Sequence, residues 1–207
     1  MRINPIFCGV VSLAMLLLTG CVSMQPATEK AANETRVTFA TRVSKLQQLT
    51  HFELAGAMAV RRGEQADSAS YTWQQYGRSA FNIYLSGPMG AGGTQLRGTL
   101  GEVILRDSKG EQFKAATAED LLQQRMGWTV PVSQLFYWVR GIPESTTATK
   151  TLDKYQHLKT LEEAGWQLVY ERYTNVQGID LPSKITLTRD KIRVRLVVRK
   201  WQLKTPA

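Results

Sequence analysis

Histidine and cysteine are scarce in this chain of 207 residues, with two of each. Two cysteines form at most one disulfide, which excludes a disulfide-stapled scaffold. His51 and His157 have no second histidine, cysteine or carboxylate at metal-ligand spacing. Both therefore read as surface histidines, and no metal centre is expected. Also missing is an apolar run of the ~20 residues that a membrane-spanning helix needs; the longest, Ile6 to Leu18, falls well short. There is no Gly-x-Ser-x-Gly elbow. The stretch Gly87-Pro88-Met89-Gly90-Ala91-Gly92-Gly93 lacks a Gly-Lys-Ser/Thr ending and joins two expected strands, which disfavours phosphate cradling. Carboxylates such as Glu53, Glu119, Asp120, Glu162 and Glu163 are scattered over turns and helix starts. No catalytic residue and no cofactor emerges, so the chain does not read as an enzyme. Wholesale disorder is excluded as well, because only 21% of residues are charged and 9% are aromatic.

What is present begins with an address. Met1-Arg2 and the apolar run to Leu18 have the form of a secretory signal. The run ends in Leu18-Thr19-Gly20-Cys21, a large aliphatic, two small residues and a cysteine. This resembles the bacterial lipobox, which implies cleavage after Gly20 and a diacylglycerol on Cys21. Residues 1–20 are then a removed signal peptide, and Cys8 leaves with it. Residues 21–35 are the lipidated N-terminus and a polar, flexible tether, and residues 36–207 are one domain. Several acyl chains, at ~0.8 kcal/mol per buried CH₂, make such an anchor almost permanent. Val22 and Ser23 stand where, in sorting of the enterobacterial type, an Asp marks inner-membrane retention. The resemblance therefore implies an outer-membrane protein anchored at Cys21, facing the periplasm, with no nucleic-acid partner.

Periodicity divides the rest. Val37, Phe39, Ala40, Val43, Leu46 and Leu49 recur at helical spacing between Arg36 and Thr50. From Phe52 the period becomes two: Phe52, Leu54, Gly56, Met58 and Val60, then Tyr71 and Trp73, then Phe81, Ile83 and Leu85. Leu96, Gly98 and Leu100, then Val103 and Leu105, continue it, with turn residues between the runs. Two short helices are expected over 118–126 and 132–139, and strands resume over 156–161, 166–173, 184–188 and 192–203. The order argues a mainly β chain with helices, an incomplete antiparallel barrel with helices inside or across its opening.

The formal charge of +9 is concentrated. Lys184 to Lys204 hold eight basic residues and one acid, Asp190, a net of +7 against +2 for everything else. Along the last strand Ile192, Val194, Leu196 and Val198 share one face, and Lys191, Arg193, Arg195 and Arg199 the other. Like charges two residues apart repel, which points to something anionic nearby.

Together these residues resemble the LolB family of outer-membrane lipoprotein receptors. The resemblance rests on Gly56-Ala57-Met58-Ala59, on Trp73-Gln74-Gln75 with Gly77, on Phe81, Ile83 and Leu85, and on Pro88-Met89-Gly90. Asp107-Ser108-Lys109-Gly110, Pro131, Trp138, Gly141-Ile142-Pro143 and Trp166 through Tyr170 extend it. It implies a half-closed antiparallel barrel with a helical lid over an apolar cavity, shared with the periplasmic carrier LolA. It further implies a monomer that accepts acylated lipoproteins from such a carrier and releases them into outer-membrane lipid without nucleotide. A protruding loop with an exposed hydrophobic residue, usually leucine, is implied to enter the membrane; here Met89 stands there between Pro88 and Gly90. The expected cavity lining is Leu54, Met58, Trp73, Phe81, Ile83, Leu85, Leu96, Leu100 and Trp166, with Leu121, Leu122, Leu135 and Trp138 from the lid. About half of these are expected to be plain core, because small barrels fill their interior with side chains. The cationic strand is expected to steer an acidic carrier or anionic headgroups. The alternative is a lipid-anchored assembly module that binds an anionic envelope polymer through the same strand.

Overall fold

Two antiparallel meanders share one sheet in the computed structural model, which describes residues 37–90, 92–99, 101–127 and 129–204, with the backbone alone at Met89 and Met126. The expected signal peptide, the tether with Cys21, and Leu100 lie outside the described residues. The first meander runs β1 (His51–Arg62), β2 (Gln65–Tyr76), β3 (Ala80–Ser86), β4 (Gly93–Thr99), β5 (Glu102–Arg106) and β6 (Gln112–Ala115). The second runs β7 (Thr149–Leu152), β8 (Leu158–Glu163), β9 (Trp166–Val176), β10 (Ile179–Arg189) and β11 (Ile192–Leu203). They join where β1 pairs with β11, so the sheet order is β6-β5-β4-β3-β2-β1-β11-β10-β9-β8-β7 and β6 and β7 are its two edges. The sheet is unclosed. A first helix, α1 (Phe39–Gln47), precedes β1, while α2 (Ala118–Met126) and α3 (Val132–Trp138) carry the chain from one edge to the other.

Local chemistry explains most of these elements. β1 buries Phe52, Leu54 and Val60 on one face, the period-two pattern of a strand wet on its other side. The β8–β9 and β9–β10 tips place both turn residues at positive φ, Ala164 (52°) with Gly165 (76°) and Gln177 (52°) with Gly178 (79°). Such turns match the twist of the flanking strands. Thr38 and Thr117 cap α1 and α2 by accepting from the amides of Thr41 and Asp120.

Helix α1 is shorter than the sequence suggests. The guanidinium of Arg140 accounts for its end: it donates to the carbonyls of Leu46 (2.9 Å), Leu49 (3.1 Å) and Phe136 (2.8 Å). Arg140 is buried over the Phe136 ring, and desolvation lowers its pKa to about 10, which still leaves it charged at neutral pH.

One glycine is required. The β1–β11 register shifts between Ala55 and Gly56, and a Cβ on Gly56 would lie 1.8 Å from the Val197 carbonyl oxygen. The hydroxyl of Tyr71 donates to that same oxygen (3.4 Å). The bulge bends the pair at the centre of the sheet. A second irregularity surrounds Pro182 in β10, where the ladder to β9 slips. A bulge is where a sheet tolerates proline, which is why this strand begins five residues before its expected start.

His157 is not at the surface. It is 3% exposed, with Nδ1 3.0 Å from Asp153 Oδ2 and Nε2 3.1 Å from Asp180 Oδ2. Asp180 also takes Arg42 of α1 (3.2 Å) and Asn175 (2.8 Å), and Tyr173 stacks on the imidazole. This polar knot pins α1 to the second meander. Two carboxylates flank the imidazole: Asp153 stands four residues before it in the chain, a spacing that the reading of His157 as a surface residue overlooks, and Asp180 is brought in from 23 positions away. His51 is half-buried, against the Thr50 hydroxyl.

An apolar cavity and a cationic end

A cavity of about 460 Å³ lies between the first meander and the helices. Leu54, Met58 and Val60 of β1, Tyr71 and Trp73 of β2, Ile83 and Leu85 of β3, and Thr94 and Leu96 of β4 form its sheet side. Leu122 of α2, Val130 just before α3, Val132 and Leu135 of α3, Val139 just after it, and Leu196 of β11 form the remainder. One end is polar. Arg62, Asp67, Ser68 and Ser86 line it, with Arg62 paired to Asp67 (3.2 Å). Gly87 and Gly92, also on the wall, flank a single 3₁₀ turn, Pro88–Gly90, which packs against β2.

The Trp73-Gln74-Gln75 motif serves both faces of the sheet. Toward the cavity, Trp73 Nε1 donates to Gln75 Oε1 (2.9 Å), and Gln75 donates onward to the Gly77 carbonyl (3.1 Å). The indole is thereby held by a buried amide whose own groups are satisfied. On the opposite face, Lys204 and Gln74 both donate to Glu53, Asn82 donates to Gln74, and Gln95 donates to Asn82. This ladder ties β1 to β4 together and reaches the residue after β11. The Gln74 and Lys204 hydrogen bonds hold the Glu53 carboxyl below the usual carboxylate range. On the cavity side, burial pushes the Tyr71 phenol well up, so it stays a neutral donor.

Of the residues expected to line a cavity, Leu54, Met58, Trp73, Ile83, Leu85, Leu96, Leu122 and Leu135 are on this wall. Phe81, Leu121, Trp138 and Trp166 are not. The Phe81 ring covers Gly98, where a Cβ would lie 2.2 Å from it. Leu121 is fully buried and, about 100° around the helix from Leu122, points elsewhere. Trp138 donates to Glu163 (2.6 Å), whose carboxylate also accepts from the amides of Glu144 and Ser145. Trp166, 2% exposed, opens β9 in the second meander. Val132 and Val139, absent from the expected lining, form with Leu135 a helical i, i+3, i+7 stripe on this wall. Tyr71 and Leu196, on the apolar faces of their strands, also join the wall.

The basic stripe is placed in part. Arg193 and Arg195 are exposed on the face opposite Val194 and Leu196. Lys191 sits in the β10–β11 turn rather than on the strand, and the bulge leaves both Arg199 and Lys200 exposed. Among the described residues no group of three histidine, cysteine, aspartate or glutamate side chains is arranged to hold a metal, and no helix is long and apolar enough to cross a membrane.

The profile of the family described as LolB, Outer membrane lipoprotein LolB, matches residues 50–201. The chain is 31% identical over 196 residues to the outer-membrane lipoprotein LolB of Coxiella burnetii, covering 95% of this chain and 93% of that one. It is 34% identical to the LolB of Chromohalobacter salexigens (96% and 90% covered) and 34% identical to that of Nitrosococcus oceani (94% and 96%). Among solved structures, a LolA superfamily protein from Nitrosomonas europaea superposes with a TM-score of 0.54 at 10% identity, covering 82% of this chain and 94% of that one. A putative outer membrane lipoprotein-sorting protein domain from Vibrio parahaemolyticus gives 0.52 at 9% identity (82% and 92% covered). These two likenesses fix the fold, and the sequence matches fix the lineage: the chain belongs to the LolB family of outer-membrane lipoproteins.

Proposed function

We propose that this chain receives acylated lipoproteins from a LolA-like periplasmic carrier in its apolar cavity and releases them into the outer membrane, to which Cys21 anchors it. The cavity carries this reading. Exposing one long acyl chain to water costs on the order of 10 kcal/mol at ~0.8 kcal/mol per CH₂. Cargo must therefore pass from one apolar enclosure to another, and the bilayer is the sink. No covalent chemistry and no nucleotide are required, only a dry surface offered at the right moment. An assembly module for an anionic polymer has no use for such a cavity, and this favours the receptor reading.

The volume sets a capacity. A methylene takes about the space of a water molecule, roughly 30 Å³, so about 460 Å³ holds on the order of fifteen of them, one acyl chain. The Pro88–Gly90 turn stands at the polar end of the cavity, where released chains would leave, and Met89 is the residue to enter the membrane.

Transfer of a radiolabelled lipoprotein from the carrier to this chain tests the reading. Label should move without nucleotide, and the chain should also take up a fluorescent fatty acid. Absence of both overturns the proposal. Met89→Glu should keep uptake but block delivery to liposomes; normal delivery would remove the turn from the mechanism.

A further inference from the structure

The pairing register brings together three features that are far apart in the sequence. Ser86, the last residue of β3, pairs with Ser70 of β2, which pairs with Ala57 of β1. The next row outward holds Ser68, Ala59 and Arg195, and the row beyond it Ala66, Arg61 and Arg193. The hairpin β1–β2 thus extends past β3, and the Pro88–Gly90 turn lies against this extension. Neighbouring strands are about 4.8 Å apart, so Arg61, Arg193 and Arg195 sit only two to three strands from the turn, at its level.

The charge at this end is not balanced internally. Arg61 and Arg193 face each other directly across β1 and β11, a pairing that costs free energy unless an anion relieves it. The nearby acids are largely committed: Asp67 to Arg62, Asp190 to Arg189, and Glu171 to Lys184 and Thr186. Among the described residues Arg61, Lys191, Arg193 and Arg195 have no ion-pair partner within 4 Å; Glu171, already held by Lys184 and Thr186, acts on Arg195 from a distance, and Glu64 lies in the β1–β2 turn beside the cluster. The β10–β11 turn joins the cluster, because the Gly63 amide donates to the Lys191 carbonyl (3.3 Å).

We infer that this end of the sheet is a docking surface for an anionic lipid bilayer, in which Arg61, Lys191, Arg193 and Arg195 meet headgroup phosphates beside the Pro88–Gly90 turn. The inference rests on the receptor reading for the role of the turn. It adds the orientation: the hairpin tips face the membrane, and the polar end of the cavity faces it with them. A bilayer suits the cations better than an acidic protein does, because they sit on two neighbouring hairpins and line no groove, and because the Pro88–Gly90 turn stands at their level on the same end of the sheet.

The test uses the chain secreted behind a cleavable signal in place of residues 1–20, with Cys21→Ala so that no acyl anchor contributes. It is sedimented with phosphatidylcholine vesicles, with and without phosphatidylglycerol. Binding should require phosphatidylglycerol and fall as salt rises. At about fivefold per cation, the Arg61→Gln, Arg193→Gln, Arg195→Gln triple variant should lose partitioning on the order of a hundredfold. The corresponding triple lysine variant should keep most of it. Equal binding to both vesicle types, or a glutamine triple variant that binds like the parent, overturns the docking surface. So does a glutamine variant that keeps vesicle binding but loses an acidic carrier. Fatty-acid uptake is read in parallel, since none of the three arginines lines the cavity: its absence in the parent chain speaks against the receptor reading, not against the surface.

Discussion

The two meanders are built alike and used differently. The first, β1 to β4 above all, supplies nearly the whole sheet side of the cavity, and the second contributes Leu196. The second is packed solid with Leu158, Leu161, Trp166, Leu168, Leu181, Ile185 and Leu187, each at most 2% exposed, and is closed by Trp138 and the His157 knot. Alternating apolar strands thus produce either a hollow or a filled interior, depending on what is laid against them. Helix α3 shows this on one element: Leu135 and Val132 face the cavity while Trp138 seals the filled half.

The largest expected effect tests whether the filled half is the keel of the fold. Trp166→Ala should cost about 3–5 kcal/mol in denaturant unfolding. Leu85→Ala, whose half-buried side chain faces the hollow, should cost only about 1 kcal/mol, because little is packed on its far side. Equal costs would mean that the cavity is closed in solution.

Next comes the polar knot of the second meander. Asp180→Asn leaves the largely covered Arg42 without its carboxylate and should cost about 3 kcal/mol. It should also raise hydrogen exchange in α1 more than in β2.

The hollow can be filled instead. Ala69→Trp adds a ring to the cavity wall, and it should abolish fatty-acid uptake while stability shifts by about 1 kcal/mol or less. Unchanged uptake would place the probe elsewhere on the molecule.

The smallest effect concerns acid. The Lys184 and Thr186 hydrogen bonds hold the Glu171 carboxyl below its ordinary value of 4.5. Its stabilisation is therefore present above that value and fades as pH falls through the lower folded value. Because the group is partly exposed, it is worth only about 0.5 kcal/mol. Glu171→Gln should remove that increment at neutral pH and flatten the acid limb of the unfolding curve.

Local patterning was legible where a strand is wet on one side and dry on the other, as in β1 and β11. The edges β6 and β7 were not, since four residues alternating between exposed and half-buried carry too little pattern. The start of β10 was hidden by Pro182, which reads as a break until a bulge accommodates it. His157 read as a surface residue because its partner Asp180 lies 23 positions away and Arg42 more than a hundred.

The sequence by itself determined the family, the alternation that makes an antiparallel sheet, and the concentration of charge near the C-terminus. These are one-dimensional properties, written in order and spacing. Tertiary structure decided which apolar faces enclose space and which close on each other. It also decided that Arg61 stands opposite Arg193 at the level of the Pro88–Gly90 turn. The physical reason is that burial and charge pairing depend on distances across the sheet, and the pairing of the first strand with the last sets those distances.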